Sequence, residues 1–221
     1  RRLSKTKLAA TSSYDIKITR GSKLNTQIFL KKIKKFKKGG KKIVLFATHA
    51  FSDSVHVNGF FIFNDYFDQL KQTLKIINQH KLNHNYIWII KEHPSSKIYG
   101  EKNIMKDYLS KFKEKNIIFC NEKVSTNLLL RECDTVITGR GTIGLEAAGM
   151  GIPVILGGEA RYSKMGIVNE PKNYTQYKNY IKNIDKIKRP NKNQIFLAKK
   201  IMYFYENKYF NDINLIDLKK C

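Results

Sequence analysis

Cysteine is scarce in this 221-residue chain, and its spacing does not suit a metal site. The three cysteines, Cys120, Cys133 and Cys221, form no CxxC pair, which argues against a zinc framework or a disulfide scaffold. Cys120 and Cys133 also lie in or beside apolar segments that we predict to be buried strands. We therefore expect a reduced, cytoplasmic protein without a metal ion.

Long apolar runs are absent as well, which argues against a membrane-spanning helix. No stretch of about 18 consecutive apolar residues occurs, and no signal peptide is recognisable. The first residue is arginine rather than methionine, so we expect a piece of a longer protein. A length of 221 residues and a hydrophobic fraction of 42% suit one good-sized globular domain and are short for two full ones.

Acidic residues are few in comparison with basic ones. The chain has 42 Lys and Arg against 18 Asp and Glu, a net charge of +24. Residues 1–42 alone hold fifteen Lys or Arg and one acid, Asp15, with the densest basic cluster at 31–42. Such a surface attracts nucleic acid, anionic lipid or charged glycan. The composition is also rich in Lys, Asn and Ile, as an AT-rich genome would produce, and the basic leader at 1–41 fits a solvated linker equally well.

Nucleic acid is the least supported of these partners. No recognised nucleic-acid-binding motif occurs, and aromatic residues such as Phe67 and Tyr108 fall on predicted buried helix faces. We expect no specific nucleic acid partner, and a basic nucleic-acid-binding protein is the alternative from another functional class. An anionic membrane surface is a candidate partner, which would place a cytoplasmic protein peripherally at the inner face of the cell membrane.

Apolar strands and amphipathic helices alternate along the rest of the chain. Strands are predicted at 42–48, 85–91, 116–120, 134–138, 154–156 and 166–168, and helices at 24–36, 64–80, 103–115, 125–132, 142–149, 174–184, 191–205 and 211–219. This order is typical of an α/β fold with a Rossmann-like parallel sheet and helices on both of its faces. We divide the chain into a basic leader and helix at 1–41, a Rossmann-like domain at 42–188 and C-terminal closing helices at 189–221.

The stretch 133–158 combines a strand, a glycine turn, a helix and a second strand in one βαβ unit. Gly139, Gly141 and Gly144 give the backbone freedom to turn sharply and to approach a ligand. Thr142 is the predicted N-cap of the helix, whose free N–H groups would face the carboxyl edge of the sheet. Glu146 lies one turn into that helix, where its carboxylate could reach a ribose hydroxyl. A structural glycine cluster is the alternative, because the spacing is not GxGxxG.

A second unusual loop follows the strand predicted at 85–91. His93 stands directly before Pro94, which restricts the backbone after it. Parallel strands place their carboxyl ends at one edge of the sheet, so the His93 loop and the glycine turn should open onto the same crevice. Together they would form an anion site suited to the phosphates of a nucleotide, although a satisfied loop histidine is the alternative role of His93. The donors that we expect there are Lys91, His93, Ser95, Ser96, Gly141 and Thr142.

These two segments, IIKEHPSSKIYGEKN and CDTVITGRGTIGLEAAGMGIPVI, resemble the C-terminal, nucleotide-sugar-binding half of GT-B glycosyltransferases. The resemblance is to the bacterial capsule polysaccharide biosynthesis family, which includes the Kdo transferases of capsule assembly. LFATHAFSDSVH and the helix in FNDYFDQLKQTL are also similar to that family, so the resemblance extends over residues 42–168. It implies that residues 42–168 form one Rossmann-like half of a GT-B fold.

The resemblance implies a glycosyltransferase that moves a sugar from a nucleotide-activated donor to a bacterial surface or capsular polysaccharide, or to a lipid-linked glycan acceptor. His93, Gly141 and Thr142 would contact the donor phosphate, and Glu146 the ribose or the sugar. Arg140 would add a positive charge beside the phosphates. Enzymes of this kind work without a bound metal or cofactor, because helix dipoles and cationic side chains stabilise the leaving nucleotide.

Two features separate this chain from a complete enzyme of that family. A GT-B enzyme has two Rossmann-like domains, and this chain has the length of one, so the acceptor-binding half would lie elsewhere. The catalytic base is expected to lie elsewhere with it. Asp53, in the loop after the first strand, is the one acidic candidate for catalysis, with loop capping as its alternative role.

The donor and the reaction stay open at this point. Kdo members carry a Ser-rich version of the motif at 139–142, and this chain has Gly-Arg-Gly-Thr there, so a CMP-linked sugar is one candidate donor among several. A teichoic-acid-type polyol-phosphate transferase and a nucleotide-sugar epimerase use a related fold and a similar glycine turn. The epimerase needs a set of catalytic carboxylates, and the sequence offers no convincing one.

The charge of the leader leads to a first prediction. If the leader binds a membrane surface or an anionic glycan, deletion of residues 1–38 should abolish binding to anionic vesicles and leave nucleotide binding intact. Co-sedimentation with vesicles that contain anionic lipid would measure the first property, and a thermal-shift titration with a nucleotide the second. Vesicle binding that survives the deletion would attribute the charge to genome composition instead.

Overall fold

The computed structural model describes residues 22–55, 59–112 and 114–207. The described strands are β1 (Lys42–Ala47), β2 (Tyr86–Lys91), β3 (Ile117–Cys120), β4 (Thr135–Thr138) and β5 (Val154–Leu156). They form one parallel sheet in the order β3-β2-β1-β4-β5. The central strands are apolar and buried almost throughout, because helices cover both faces of a sheet of this type. The predicted Rossmann-like α/β fold is confirmed.

Helices connect the strands in the order that the sequence predicts. The described α-helices are α1 (Lys23–Lys38), α2 (Tyr66–Gln79), α3 (Ile104–Ser110), α4 (Thr126–Leu130), α5 (Ile143–Gly149), α6 (Tyr174–Lys182) and α7 (Lys192–Asn207). Short 3₁₀ turns lie at Leu82–His84 and Ile184–Lys186. In this described part of the chain, no helix is both long and apolar enough to cross a membrane.

The hydrophobic core has two parts, one on each face of the sheet. Alternate residues of β1 point to opposite faces, so Ile43 and Leu45 belong to one part and Val44 and Phe46 to the other. Helices α1, α4, α5 and α7 contribute buried side chains to the first part, and α2, α3 and α6 to the second. The sheet is therefore covered on both sides, as expected.

Helix α1 is joined to the body of the protein by packing and by hydrogen bonds. Ile33 is fully buried in the core, and the N–H of Ser125 donates to Thr26 Oγ1 at 2.9 Å. The N–H of Ser22 donates to the carbonyl of Lys123 at 2.7 Å. A deletion that ends at residue 21 therefore tests the basic leader better than one that ends at residue 38, since it leaves α1 in place.

Several predicted boundaries change. The helix predicted at 103–115 ends at Ser110. The strand predicted at 166–168 is wrong, because these residues form a bend and only the next residue, Asn169, makes an isolated bridge with Ile155. The closing helices predicted at 174–184 and 191–205 correspond to α6 and α7, and the one predicted at 211–219 lies outside the described residues. The leader before residue 22 lies outside them as well.

The helix N-termini differ in how they are capped. Asp65 caps α2, because its Oδ1 accepts the N–H of Asp68 at 2.6 Å. Thr142 occupies the same place before α5, but its backbone is already helical, with φ −59° and ψ −23°, and its side chain makes no capping bond. The predicted capping role of Thr142 is therefore wrong. A side chain on a residue with helical backbone angles is poorly placed to reach the next N–H groups.

This difference predicts unequal effects of two matched substitutions. Asp65→Ala should lower the free energy of unfolding by about 1 kcal/mol, because it removes an N-cap hydrogen bond. Thr142→Ala should change it by less than about 0.5 kcal/mol, as expected of an exposed side chain without such a bond. Denaturant titrations followed by circular dichroism would compare the two variants. Equal losses would show that Thr142 stabilises α5 after all.

Candidate functional site at the carboxyl edge of the sheet

Three loops meet at the carboxyl edge of the sheet, and the imidazole of His49 lies between them. Its ring stacks on that of Tyr66, with centroids 4.3 Å apart, and on that of His93, with centroids 5.8 Å apart. Its Nε2 accepts the backbone N–H of Arg140 at 3.4 Å. The loops after β1, β2 and β4 are thus in direct contact through one side chain, which agrees with the shared crevice that the sequence predicts.

Sequence reasoning missed His49, which it left in a polar loop without a role. A signal was present, because His49 and His93 occupy equivalent positions after neighbouring strands. The sheet register pairs Ala47 with Lys91, and each histidine follows two residues later. A second histidine at the same distance from a parallel strand end therefore predicts a pair of imidazoles at one edge.

His93 has a defined orientation and hydrogen-bonding state. Its Nδ1 accepts the N–H of Ser95 at 3.2 Å, so that in the neutral ring Nε2 carries the proton. The side chains of His93 and Ser95 are partly exposed, and Ser96 is buried. His93 is therefore prepared to donate a hydrogen bond from Nε2 at this edge.

Lys91 is buried rather than exposed at the surface. It is 3% exposed, and its Nζ donates to the carbonyl of Asn121 at 3.1 Å, beyond the end of β3. Burial lowers the pKa of its ammonium group. The role of Lys91 in phosphate binding stays a prediction, and it would require this internal hydrogen bond to be exchanged for one to the ligand.

A pair of carboxyl groups lies next to Lys91. Burial and, next to it, the adjacent carboxyl of Glu122 together raise the pKa of Glu92 to about 7. Burial also acts on Glu122, but its hydrogen bond and ion pair with Lys97 hold the pKa of Glu122 below its usual value. Near neutral pH, a protonated Glu92 can therefore donate to an ionised Glu122, which keeps this buried pair stable.

Arg140 is largely enclosed by the segment that precedes α2. It is 8% exposed, and its guanidinium lies over the ring of Phe61, 5.0 Å from the centroid. Its Nη2 donates to the carbonyl of Phe60 at 3.4 Å. The positive charge thus lies at the carboxyl edge, held by a cation–π contact and a main-chain acceptor.

The glycines of the turn after β4 are required for space. The described glycines with positive φ lie elsewhere, and Gly139, Gly141 and Gly144 are not among them. A Cβ on Gly139 would lie 3.0 Å from the ring of Tyr66 and 3.1 Å from that of His49. A Cβ on Gly144 would collide with the hydroxyl of Tyr162. Close packing against these rings, rather than an unusual backbone angle, explains the cluster.

The start of α5 brings the remaining predicted residues together. Glu146 is buried in the first turn, and Thr142 is exposed beside it. The hydroxyl of Tyr162 donates to the carbonyl of Gly141 at 2.6 Å, which fixes the turn. The N–H of Gly144 bonds to that same carbonyl at 3.1 Å, so the helix start offers fewer unpaired donors than the sequence suggests.

Asp53 lies next to His49, in the same loop after β1. Its Oδ2 is 3.8 Å from His49 Nδ1, and its Oδ1 accepts the N–H of Ser54 at 2.8 Å. The interaction with His49 lowers the pKa of Asp53 below its usual value. Asp53 therefore combines the loop-capping contact with a position next to the histidine pair.

Glu101 connects this loop to the one that carries His93. It is 2% exposed, and its Oε1 accepts the N–H of Ser52 at 2.6 Å. In the same loop, the N–H of Glu101 donates to the carbonyl of Ser96 at 2.9 Å. Among the residues that the structure describes, no group of three His, Cys, Asp or Glu side chains converges to hold a metal ion.

Several solved structures are similar to this chain. HepE of Anabaena, solved in complex with UDP-glucose, is 12% identical, with a TM-score of 0.52 over 90% of this chain and 55% of that one. The β-Kdo 2,4 transferase KpsC of Thermosulfurimonas dismutans is 17% identical, with a TM-score of 0.40 over 73% of this chain and 52% of that one. UDP-GlcNAc 2-epimerase of Methanocaldococcus jannaschii is 16% identical, with a TM-score of 0.47 over 86% and 52%. The chain thus spans about half the length of these structures.

Comparison of the sequence with models of protein families identifies the family of this chain. A search of curated proteins found no match. The family model described as "Capsule polysaccharide biosynthesis protein" matches residues 5–211, which is nearly the whole chain. The match includes the loops that hold His49, His93 and Arg140, and the parallel sheet agrees with one half of a GT-B fold. This chain belongs to the capsule polysaccharide biosynthesis protein family.

Proposed function

We propose that this chain is the nucleotide-sugar-binding half of a glycosyltransferase. The enzyme would transfer a sugar from a nucleotide-activated donor to a bacterial surface or capsular polysaccharide, or to a lipid-linked glycan. The family and the Rossmann-like sheet support this class of reaction. The chain spans about half of the solved structures that it matches, which supports the proposal that the acceptor-binding half would lie elsewhere in the enzyme. Such an enzyme would act in the cytoplasm, peripherally at the inner face of the cell membrane.

The contact between the three loops is the observation that carries this proposal. His49 stacks on His93 and accepts the N–H of Arg140, so the two loops that the sequence selected lie at one place on the carboxyl edge. In open α/β sheets, ligands bind in the crevice beyond the carboxyl ends of the strands. The donor's phosphates would lie there, with its ribose towards Glu146.

The residues of this edge suit the departure of a phosphorylated leaving group. In glycosyl transfer, the bond between the anomeric carbon and the phosphate oxygen breaks, and its electron pair stays on the phosphate. His93 would donate from Nε2 to that oxygen, and the guanidinium of Arg140 would stabilise the negative charge. The acceptor hydroxyl forms the new bond and loses its proton to a base, for which Asp53 is the candidate within the described residues.

The donor base is the first property to establish. HepE was solved with UDP-glucose, and Kdo transferases belong to the same family of capsule enzymes, so UDP and CMP are both candidates. Thermal-shift titration of the chain with UDP, CMP, CDP and GDP would rank them. A stabilisation of RT ln(1 + [L]/Kd) is expected for the preferred nucleotide, which is about 2.7 kcal/mol at a hundredfold excess over Kd.

Substitution of His93 tests the phosphate contact. His93→Ala should weaken binding of the preferred nucleotide about ten- to a hundredfold, since a hydrogen bond to a charged group contributes about 1.5–3 kcal/mol. Stability should change little, because His93 is a partly exposed loop residue. Isothermal titration calorimetry measures the affinity, and His84→Ala, an exposed histidine in the 3₁₀ turn after α2, is the matched control.

The opposite result for His93 would assign it a structural role. A variant that melts early yet binds nucleotide normally per folded molecule would contradict the phosphate contact. His84→Ala should behave as the unmodified protein in both measurements. A loss of affinity in this control as well would point to a general effect of histidine removal.

Glu146 tests the position of the ribose. Glu146→Gln keeps the shape of a buried side chain and removes its charge, so it should weaken nucleotide binding about tenfold and leave the affinity for inorganic pyrophosphate unchanged. Competition between the nucleotide and pyrophosphate in the same calorimetric experiment would measure the difference. A parallel loss for both ligands would remove Glu146 from the ribose contact.

A further inference from the structure

A second concave surface lies on the flank of the sheet, outside the site at the carboxyl edge. It is a groove of about 480 Å³ between the outer face of α6, the turn Ile184–Lys186 and the segment beside β5. Its position is set by Asn169, whose backbone N–H and side-chain Nδ2 both donate to the carbonyl of Val154 at 2.9 Å. Val154 is the first residue of β5, whereas the site described above lies beyond the last residues of the strands. The two concave surfaces are therefore separate.

The walls of the groove are rich in side-chain amides. Gln176, Asn179 and Asn183 follow one another at intervals of three and four residues, so they share one face of α6 and its C-terminal cap. Asn169 faces them from the segment beside β5. The side chain of Asn179 is exposed, whereas Gln176 Oε1 accepts the N–H of Lys172 at 2.9 Å and Asn183 Nδ2 donates to the carbonyl of Asn179 at 3.0 Å. The groove thus presents the carboxamide of Asn179 together with the remaining donors and acceptors of the neighbouring amides.

The base of the groove is apolar and held in place by the core. Tyr180 and Ile187 line it, and both pack against the buried cluster on that face of the sheet. Lys186 and Lys188 also line the groove and are exposed. An aromatic ring fixed by packing gives a flat apolar contact without loss of side-chain freedom on binding.

This combination fits a sugar chain that carries negative charge. Carboxamides suit neighbouring hydroxyl groups, because each amide donates and accepts, and the ring of Tyr180 suits the apolar C–H face of a pyranose. The two lysines suit a carboxylate or phosphate on the sugar. A nucleic acid would be expected to need more cations along its backbone and more exposed aromatic rings.

We propose that this groove binds a segment of acidic polysaccharide, apart from the nucleotide site. The choice of a glycan rests on the proposed function, because a transferase that extends a polysaccharide must hold a chain longer than the reacting sugar. The groove would retain the growing chain between additions. Its binding needs no nucleotide, so it can be tested separately from the transferase activity.

The probe is an octamer of α-1,4-galacturonic acid, titrated into ¹⁵N-labelled protein at physiological salt. The side-chain NH₂ signals of Gln176, Asn179 and Asn183 should shift with a common Kd. Asn179→Asp, which keeps the shape and adds a negative charge, should weaken this Kd about tenfold through like-charge repulsion. Asn25→Asp on α1 makes the same change of charge and shape at a distant, partly exposed site and should stay within about twofold of the unmodified protein.

Two outcomes would contradict the proposal that this groove binds an acidic polysaccharide. Equal weakening by Asn179→Asp and Asn25→Asp would reduce the binding to general attraction by a net charge of +24. If an oligothymidylate octamer shifts the same signals with equal or higher affinity, the ligand of the groove would be a nucleic acid and not a glycan. Asn179 is exposed and Asn25 is partly exposed, so both variants should fold, and circular dichroism would verify this.

The same titration separates this proposal from the function of the carboxyl edge. If the chain binds the octamer but has no measurable nucleotide affinity, the proposed glycan groove would be supported and the proposed nucleotide site would be contradicted. If the chain binds nucleotide through His93 but its groove signals do not respond to the octamer, only the proposed glycan groove would be contradicted.

Discussion

The parallel pairing of β1 with β2 and with β4 is the constraint on which the candidate site depends. It sets Ala47 level with Lys91 on one side and with Thr138 on the other, so three strands end together. The loops that follow these strands therefore lie close together, and His49 contacts the other two. A shift of one residue in either pairing would turn buried side chains to the wrong face of the sheet and separate the rings of His49 and His93.

Much of this arrangement could be predicted from the sequence, because strong local patterns produced it. Continuous apolar runs gave β1 and β2, and helical periodicity gave α1 and α2 within two residues of their ends. The meeting of the His93 loop with the glycine turn also followed, since parallel strands end at one edge. The divisions of the chain into leader, domain and closing helices remain predictions.

The errors concern contacts between distant residues. Thr142 has the residue type and position of an N-cap, but the turn holds its backbone in helical angles, and the carbonyl of Gly141 is fixed by Tyr162 from outside the motif. Gly139 and Gly144 read as turn residues, whereas rings from other elements press against them. His49 was overlooked because its neighbours come from the start of α2 and from the loops after β2 and β4. Its signal was a comparison of two strand ends, and no local pattern within one segment carries such information.

The carboxylate of Glu101 has a consequence for how the site responds to a ligand. It holds the N–H of Ser52 in one loop while its own backbone N–H is bonded within the next, so a short, partly buried hydrogen bond joins the segments that carry His49 and His93. Order imposed on one segment can therefore be passed to the other. A ligand bound at either histidine would then change the geometry of both.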